Sequence, residues 1–345
     1  MNIRCHLVVG LSLGLVLSLP HCRAELLLEY TFDDSGPSTQ ATERALRGFP
    51  LQFENQDGSP ADWHGAPGSG VSGRSEDRAF DNTASTGMGT GSEGGRAHGK
   101  PVGLEPMDSI TLSGWFRTVD QSLGVFARLV WWDFRRQVYS YPDAGLHFAI
   151  DTGVYVGSDA AYTEVNEWVF WAVTYDGTQN ADNVKFWKGT RDTGVSLVST
   201  RSLPAGQFAA DYPDFMIGNN DPDSSPTQPL DGWIDNVRLH GGDGNSGILG
   251  ESELEALRAQ DVAGDLPPIR IRTELEVSLE SGPPAGLTFG WWTIEGHDYQ
   301  LQESANLSTW SDVAAIATAG DGTRQERSLT PLPTSPRFYR LKVSR

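Results

Sequence analysis

The chain has 345 residues, 38% of them hydrophobic, and its 45 acidic against 26 basic side chains give a formal net charge of −19 at pH 7. A surface this acidic repels nucleic acid and anionic membranes, so neither is expected as a partner. An acidic balance keeps an exported β-rich protein soluble; acidic loops that hold Ca²⁺ are the sharper alternative.

The chain opens with Arg4, an apolar run from Leu7 to Leu19, then Pro20 and Cys22-Arg23-Ala24. This predicts a secretory signal peptide over residues 1–24 and a secreted mature protein beginning near Glu25. The run is shorter than the roughly 20 residues a membrane-spanning helix needs, and no later stretch qualifies, so no membrane span is expected. His21 stands where a lipoprotein signal wants a small residue, which argues against lipidation at Cys22. Cys5 and Cys22 are the two cysteines, so the mature chain carries no thiol. Its stability must come from core burial, for which its length is ample.

Thirty-nine glycines and 20 prolines separate short runs rich in Val, Ile, Phe, Tyr and Trp. That punctuation predicts strands at Leu26–Phe32, Ile110–Phe116, Phe126–Trp132, Leu146–Ile150, Gly153–Gly157, Trp168–Tyr175, Val184–Lys188, Val195–Ser199, Phe215–Gly218 and Trp233–His240. Strands without intervening helices imply an all-β sandwich or barrel. Trp168–Tyr175 is apolar at both parities, as for a central strand covered on both sides or one whose outer aromatics line a groove. A helix is expected where Ser252 and Glu255 form a capping box ahead of Leu254 and Leu257. It closes a first domain over 25–261. A Gly/Pro-containing linker follows over 262–268 and a second, small β-sandwich over 269–345, where Tyr339, Leu341 and Val343 share one strand face.

Seven segments stand in order: Tyr30-Thr-Phe-Asp-Asp34, Ala79-Phe-Asp-Asn82, Ile110-Thr-Leu-Ser-Gly-Trp115, Glu167-Trp-Val-Phe-Trp-Ala-Val-Thr-Tyr-Asp-Gly177, Phe186-Trp-Lys-Gly189, Phe215-Met-Ile-Gly218 and Leu230-Asp-Gly-Trp-Ile-Asp-Asn-Val-Arg238. On these the first domain, from about Leu27 to Leu257, resembles the laminin G-like, concanavalin A-type jelly rolls of secreted bacterial proteins. Glu167-Trp168 replaces that family's familiar His-His. The resemblance implies a jelly-roll fold. It leaves function open, since such domains serve as lectin modules, adhesion domains, spacers and, in some relatives, hydrolases. The segment Tyr299 to Trp310, with Arg337-Phe-Tyr-Arg-Leu341, resembles small β-modules that end exported bacterial proteins.

A glycosidase of this fold needs two carboxylates in a run such as Glu-x-Asp-x-x-Glu, and the chain has none. The Gln-x-His of related lyases, Gly-x-Ser-x-Gly and His-Glu-x-x-His are also missing, so no catalysis is expected. Gly89-x-Gly91-x-x-Gly94 and Gly94-x4-Gly99-Lys100 mimic nucleotide motifs. Without a βαβ context, and with Pro101 where Ser or Thr should bind Mg²⁺, they read as a flexible loop over Ala84–Gly103.

Eleven tryptophans make aromatic stacking on sugar rings the binding chemistry to consider. Trp131 and Trp132 must point to opposite faces, so one is core and the other partly exposed. Beyond them, Arg135–Asp143 is expected to be a loop carrying Tyr139 and Tyr141. Trp132, Tyr139 and Tyr141 are thus the candidate glycan platform, with ordinary sandwich packing as the competing reading. Trp115, Trp168, Trp171 and Trp233 are assigned to the core.

Strand parity suggests a cation. Leu28, Tyr30 and Phe32 share a face and extending the alternation adds Asp34, while Asp235 falls among Trp233, Val237 and Leu239. First and last strands of such jelly rolls commonly lie side by side, which would join Asp34 and Asp235 in a structural Ca²⁺ site completed by backbone carbonyls. The competing reading leaves Asp34 in solvent and Asp235 held by amides or an arginine. The expectation is a secreted, non-catalytic protein whose partner is a glycan or another cell-surface ligand. The alternatives are a structural or adhesive domain and an accessory to a polysaccharide-active enzyme.

Overall fold

The computed structural model describes residues 7–8, 24–34, 38–45, 49–83, 94–100, 104–119, 127–132, 135–140, 144–208, 214–220, 228–264, 276–280, 286–292, 298–306, 308–319, 324–329 and 337–344. Most of the leader, the segment 84–93, the linker residues 265–268 and Tyr141 lie outside the described residues. The chain divides into two compact units, His21–Arg270 and Ile271–Arg345, the latter joined by Met1–Pro20.

The strands are β1 (Leu7–Val8), β2 (Glu25–Tyr30), β3 (Gln40–Ala41), β4 (Leu51–Asn55), β5 (Phe80–Asp81), β6 (Gly95–Gly99), β7 (Ser109–Thr118) and β8 (Arg128–Trp132). Next come β9 (Arg136–Ser140), β10 (Leu146–Asp151), β11 (Val154–Gly157), β12 (Val169–Asp176), β13 (Val184–Thr190), β14 (Ser196–Arg201), β15 (Phe215–Ile217) and β16 (Gly232–Gly242). Helix α1 (Glu251–Ala263) closes the larger unit. β17 (Glu276–Glu280), β18 (Gly286–Trp292), β19 (Asp298–Ser304), β20 (Ser311–Ala319), β21 (Arg324–Leu329) and β22 (Phe338–Ser344) follow.

The larger unit is an antiparallel β-sandwich. One sheet has eight strands in the order β11-β10-β9-β8-β15-β6-β4-β3, the other runs β14-β13-β12-β7-β16-β2 with β5 beside β16. The first and last strands are neighbours, Tyr30 opposite Val237 and Leu28 opposite Leu239. Between the sheets lies a core that includes Phe53, Leu112, Trp132, Phe148, Trp171, Phe186, Phe215 and Val237. A second apolar layer, including Trp115, Trp168, Phe170, Trp187, Leu249 and Leu254, covers the other face of the seven-stranded sheet.

β12 shows why its sequence is apolar at both parities. Val169, Trp171, Val173 and Tyr175 enter the inter-sheet core. Phe170 and Ala172 enter the second layer, so every residue of the strand is buried. Helix α1 supplies that layer's lid. It starts at Gly250, whose N–H is accepted by Glu253 Oε2 at 3.0 Å, and it stops where Gly264 takes a left-handed φ of 62°. The expected Ser252 cap is therefore displaced by two residues; Glu255 instead accepts the Val195 N–H at 2.8 Å and pairs with Arg258 at 2.7 Å.

Under the helix, Arg238 is buried and donates to Glu29 Oε1 at 2.7 Å and to both oxygens of Asp261 at 2.8 and 2.7 Å. Trp115 Nε1 donates to Asp261 Oδ2 at 2.8 Å. Burial disfavours the charge on Arg238, but Asp261 and Glu29 outweigh it and raise its pKa. Charge-assisted hydrogen bonds of this kind fix where the helix sits on the sheet.

The smaller unit has two sheets, β1-β22-β19-β20 and β17-β18-β21. Leu287, Phe289, Trp291, Tyr299, Leu301, Val313 and Tyr339 form its core, with Leu341 packed against them.

Two segments expected to be loops are strands. Arg136–Ser140, inside the expected loop Arg135–Asp143, pairs with β8 and β10 as β9. Gly95–Gly99, inside the expected loop Ala84–Gly103, pairs with β4 and β15 as β6. Both lack a bulky apolar run because one face of each is polar, so only their neighbours' hydrogen bonds reveal them as strands.

Candidate functional site

The inner face of the eight-stranded sheet is core, so alternation sends the intervening residues outward. Residues directly opposite one another form an unbroken outward row across seven strands: Gln52, His98, Met216, Trp131, Gln137, Ala149 and Tyr155. Six inter-strand steps of about 4.8 Å make the row about 29 Å long. Met216, Trp131, Gln137 and Ala149 in its middle are buried, whereas Tyr155 at the β11 end is 54% exposed, the most exposed of the large hydrophobics described.

A second row runs beside it: Arg128, Tyr139, His147 and Gly157. The Arg128 guanidinium lies 4.6 Å from the Tyr139 ring centre, a cation–π distance. Tyr139 and His147 are 5.2 Å apart, and His147 stacks on Tyr155 at 5.8 Å and 27°. Gly157 makes this possible, because a Cβ there would lie 2.7 Å from His147 Nε2. At the opposite end the charges are matched. Arg96 Nη2 meets Glu54 at 2.8 Å, and His98 sits between Glu54 at 3.4 Å and Asp214 at 3.2 Å.

The candidate platform residues therefore separate. Trp132 points into the core, fully buried, 4.4 Å from the Phe215 ring. Strand parity leaves room for one of Trp131 and Trp132 to be partly exposed, but both are buried, on opposite faces. Tyr139 points to the outer side, in a strand rather than a loop, but is buried with the Arg128 guanidinium over its ring, and Tyr141 is outside the described residues. His147 and Tyr155, which complete the ladder, fall inside the expected strands Leu146–Ile150 and Gly153–Gly157 but carry no sequence signal that brings them together. Trp115, Trp168 and Trp171 are buried as expected, and Trp233 packs partly buried against the second layer with Arg117 at 4.7 Å from its ring.

The acidic positions also part company. Asp34 accepts the Thr42 N–H at 2.8 Å and the Thr42 hydroxyl at 2.6 Å, with His64 Nε2 at 3.6 Å. Asp235 is fully buried and accepts the backbone N–H groups of Val71 at 3.0 Å and Asn236 at 2.7 Å. The extrapolated alternation breaks twice. Phe32 adopts a left-handed φ of 55°, and Asn236, at 49°, forms a bulge between Asp235 and Arg238. The first break brings Asp33 rather than Asp34 toward Asp235.

Asp33 and Asp77 are electrostatic neighbours, and both lie close enough to Asp235 to disfavour its charge. Asp33 accepts one backbone N–H, from Arg78 at 3.0 Å, Asp77 one, from Ser72 at 2.5 Å, and Asp235 the two from Val71 and Asn236. Burial above all pushes the Asp33 carboxyl up to about 6 and raises that of Asp235 well beyond the usual range. Among the described residues no group of three His, Cys, Asp or Glu side chains is arranged to hold a metal ion. No described helix is long and apolar enough to cross a membrane.

No family model matches the chain, and no curated protein matches it. Among solved structures it is similar to domain 4 of a GH43 extracellular arabinanase from Geobacillus stearothermophilus in complex with arabinotriose. The identity is 15%, with 68% of this chain and 99% of that one covered and a TM-score of 0.46. The binding domain of Botulinum Neurotoxin DC in complex with SialylT gives 10%, 84% and 78%, and 0.43. Trypanosoma rangeli sialidase in complex with 2,3-difluoro-KDN gives 10%, 70% and 33%, and 0.40, so the chain spans about a third of that enzyme. The all-β sandwich of the larger unit is read from its own two sheets.

Proposed function

We propose that this protein is an exported, non-catalytic glycan-binding protein whose larger unit is a laminin G-like jelly roll. The observation that carries the reading is the outward row from Gln52 to Tyr155 with its Arg128–Tyr139–His147 flank. Its accessible groups lie toward the two ends, His147 and the exposed Tyr155 ring at one and Gln52 and His98 at the other, and an amide, imidazoles and an aromatic ring suit a sugar chain. Rings stack on the C–H faces of pyranoses while amides and hydroxyls exchange hydrogen bonds. The test is a binding screen of the mature protein against polysaccharides. Tyr155→Ala should weaken binding at least tenfold with little change in stability, and a screen in which no glycan binds would refute the reading.

A further inference from the structure

A pocket of about 140 Å³ opens at the edge of the seven-stranded sheet, between β2, β16 and helix α1. β2 is the last strand of that sheet, and the small Ala256 of α1, exposed on the rim, leaves the gap above it unfilled. Leu26, Leu249 and Leu257 make the apolar walls. The polar lining is Glu29, Arg238, His240 and Gln260, with Glu253 held at the helix start by the Gly250 N–H. Its hydrogen-bonding capacity is one-sided. Arg238 directs Nε to Glu29 and both terminal nitrogens to Asp261. Glu29 Oε1 accepts that bond, whereas Oε2 holds none among the described residues, although the side chain is only 5% accessible. Gln260 Nε2 is buried without a hydrogen-bond partner among the described residues, and a half-turn of the carboxamide puts its oxygen there instead. The charge leans the same way: one guanidinium serves two carboxylates. Burial above all raises the Asp261 carboxyl, and Glu29 adds to it, even with Arg238 alongside.

We propose that this pocket binds a primary ammonium on a short, straight apolar stem, the chemistry shared by a free alkylamine and the end of a lysine side chain. The pocket lies on the other sheet from the outward row, so the proposal does not rest on the glycan reading. An ammonium presents three donors, for which Glu29 Oε2 and the turned Gln260 oxygen are acceptors, and its charge balances the two carboxylates that share Arg238. The stem lies along Leu26, Leu249 and Leu257. Size sets its length. An apolar cavity of about 150 Å³ takes benzene, so about 140 Å³ suits the five non-hydrogen atoms of n-butylammonium, which is a lysine side chain from Cβ outward. Among the described residues no Phe, Tyr or Trp lines the pocket, which disfavours a quaternary ammonium, since that group has no N–H and needs ring faces. An anion is disfavoured too, because carboxylates already fill the Arg238 fork. Ala24, just before the expected mature start, also borders the pocket, and its removal widens the mouth while leaving Glu29 and Gln260 in place. The α-ammonium then carried by Glu25 lies four residues, about 13 Å, along β2 from Glu29, too far to fill the position.

The deciding experiment is an NMR titration of the full mature protein, methyl-labelled at Ala and Leu, with n-butylammonium at about pH 8, where an alkylammonium keeps its charge. The expected result is saturable shifts of the Ala256, Leu26, Leu249 and Leu257 methyls with a Kd of about 1 mM or tighter, within what five non-hydrogen atoms can supply. n-Butanol, butyrate and tetramethylammonium should each bind at least tenfold more weakly. Gln260→Leu, and Ala256→Phe at the rim, should each weaken n-butylammonium several-fold with the melting temperature in place, which keeps the test open if Glu29→Gln fails to fold. Nα-acetyl-lysine N-methylamide distinguishes the sources: affinity equal to or above that of n-butylammonium assigns the pocket to lysine side chains, lower affinity assigns it to free amines, and both uphold the ammonium class. Equal binding of tetramethylammonium would mean attraction of any cation to an acidic surface. That result, equal binding of n-butanol, shifts unaffected by both substitutions, or no saturable shift at tens of millimolar overturns the proposal, and none of them touches the glycan reading.

Discussion

Removing the Asp261 carboxylate should release helix α1 from the sandwich. Asp261→Ala deletes three short hydrogen bonds at once, two from Arg238 and one from Trp115 Nε1, and leaves a buried guanidinium with Glu29 as its remaining carboxylate partner. Breaking a buried ion pair by removing one member costs about 3–5 kcal/mol, most of it the penalty on the charge left behind. For a unit of this size each kcal/mol shifts the midpoint by about 2–4 °C, so the melting temperature should fall by roughly 6–20 °C. Asp261→Asn keeps an acceptor for Trp115 and should cost less than Ala. Replacing Glu29, Arg238 and Asp261 together by apolar residues of similar volume should recover much of the loss, because no charge is then stranded. Urea unfolding followed by tryptophan fluorescence gives the free energies. A loss under 1 kcal/mol for Asp261→Ala would refute the reasoning and place the anchor of α1 in Leu254 and Leu249 instead.

Trp132→Ala should cost about 3–5 kcal/mol by opening a cavity in the inter-sheet core. Tyr155→Ala should change stability by about 0.5 kcal/mol or less, and the reverse order in thermal melts would invert the faces assigned to β8 and β11. His64 is clamped by Asp62 at 2.8 Å and Asp34 at 3.6 Å; burial opposes its charge, but the two carboxylates outweigh it and raise its pKa. A raised imidazole pKa adds stability that is complete below the unfolded value near 6.5 and is lost as pH rises through the folded one. His64→Gln should therefore flatten the stability profile above pH 6.5, and a mutant profile parallel to wild type would exclude the clamp. Far-ultraviolet circular dichroism of the mature protein should be β-dominated and its unfolding insensitive to reductant, because both cysteines precede Glu25. A reductant-dependent midpoint would contradict that processing.

The sequence by itself determined the class of fold and the position of the apolar strands. Gly and Pro spacing, the alternation in β7 and the two-sided apolar run of β12 are local signals, and the structure bears them out. The neighbouring of β2 and β16 was legible through resemblance. What the tertiary structure decided was everything that depends on counting past an irregularity or on a partner strand. Parity placed Asp34 beside Asp235, yet a left-handed Phe32 and a bulge at Asn236 each shift the count by one. A single residue off period 2 exchanges the faces, so Asp33 takes the place assigned to Asp34. The outward ladder was invisible for a related reason. Arg136–Ser140 and Gly95–Gly99 carry polar or small residues on one face, and their strand character comes from hydrogen bonds to segments as much as 120 residues away in sequence, such as Phe215 opposite Gly99. Local side-chain pattern reports burial on one face. The assembly of Tyr139, His147 and Tyr155 into one surface is a property of register, which non-local pairing sets.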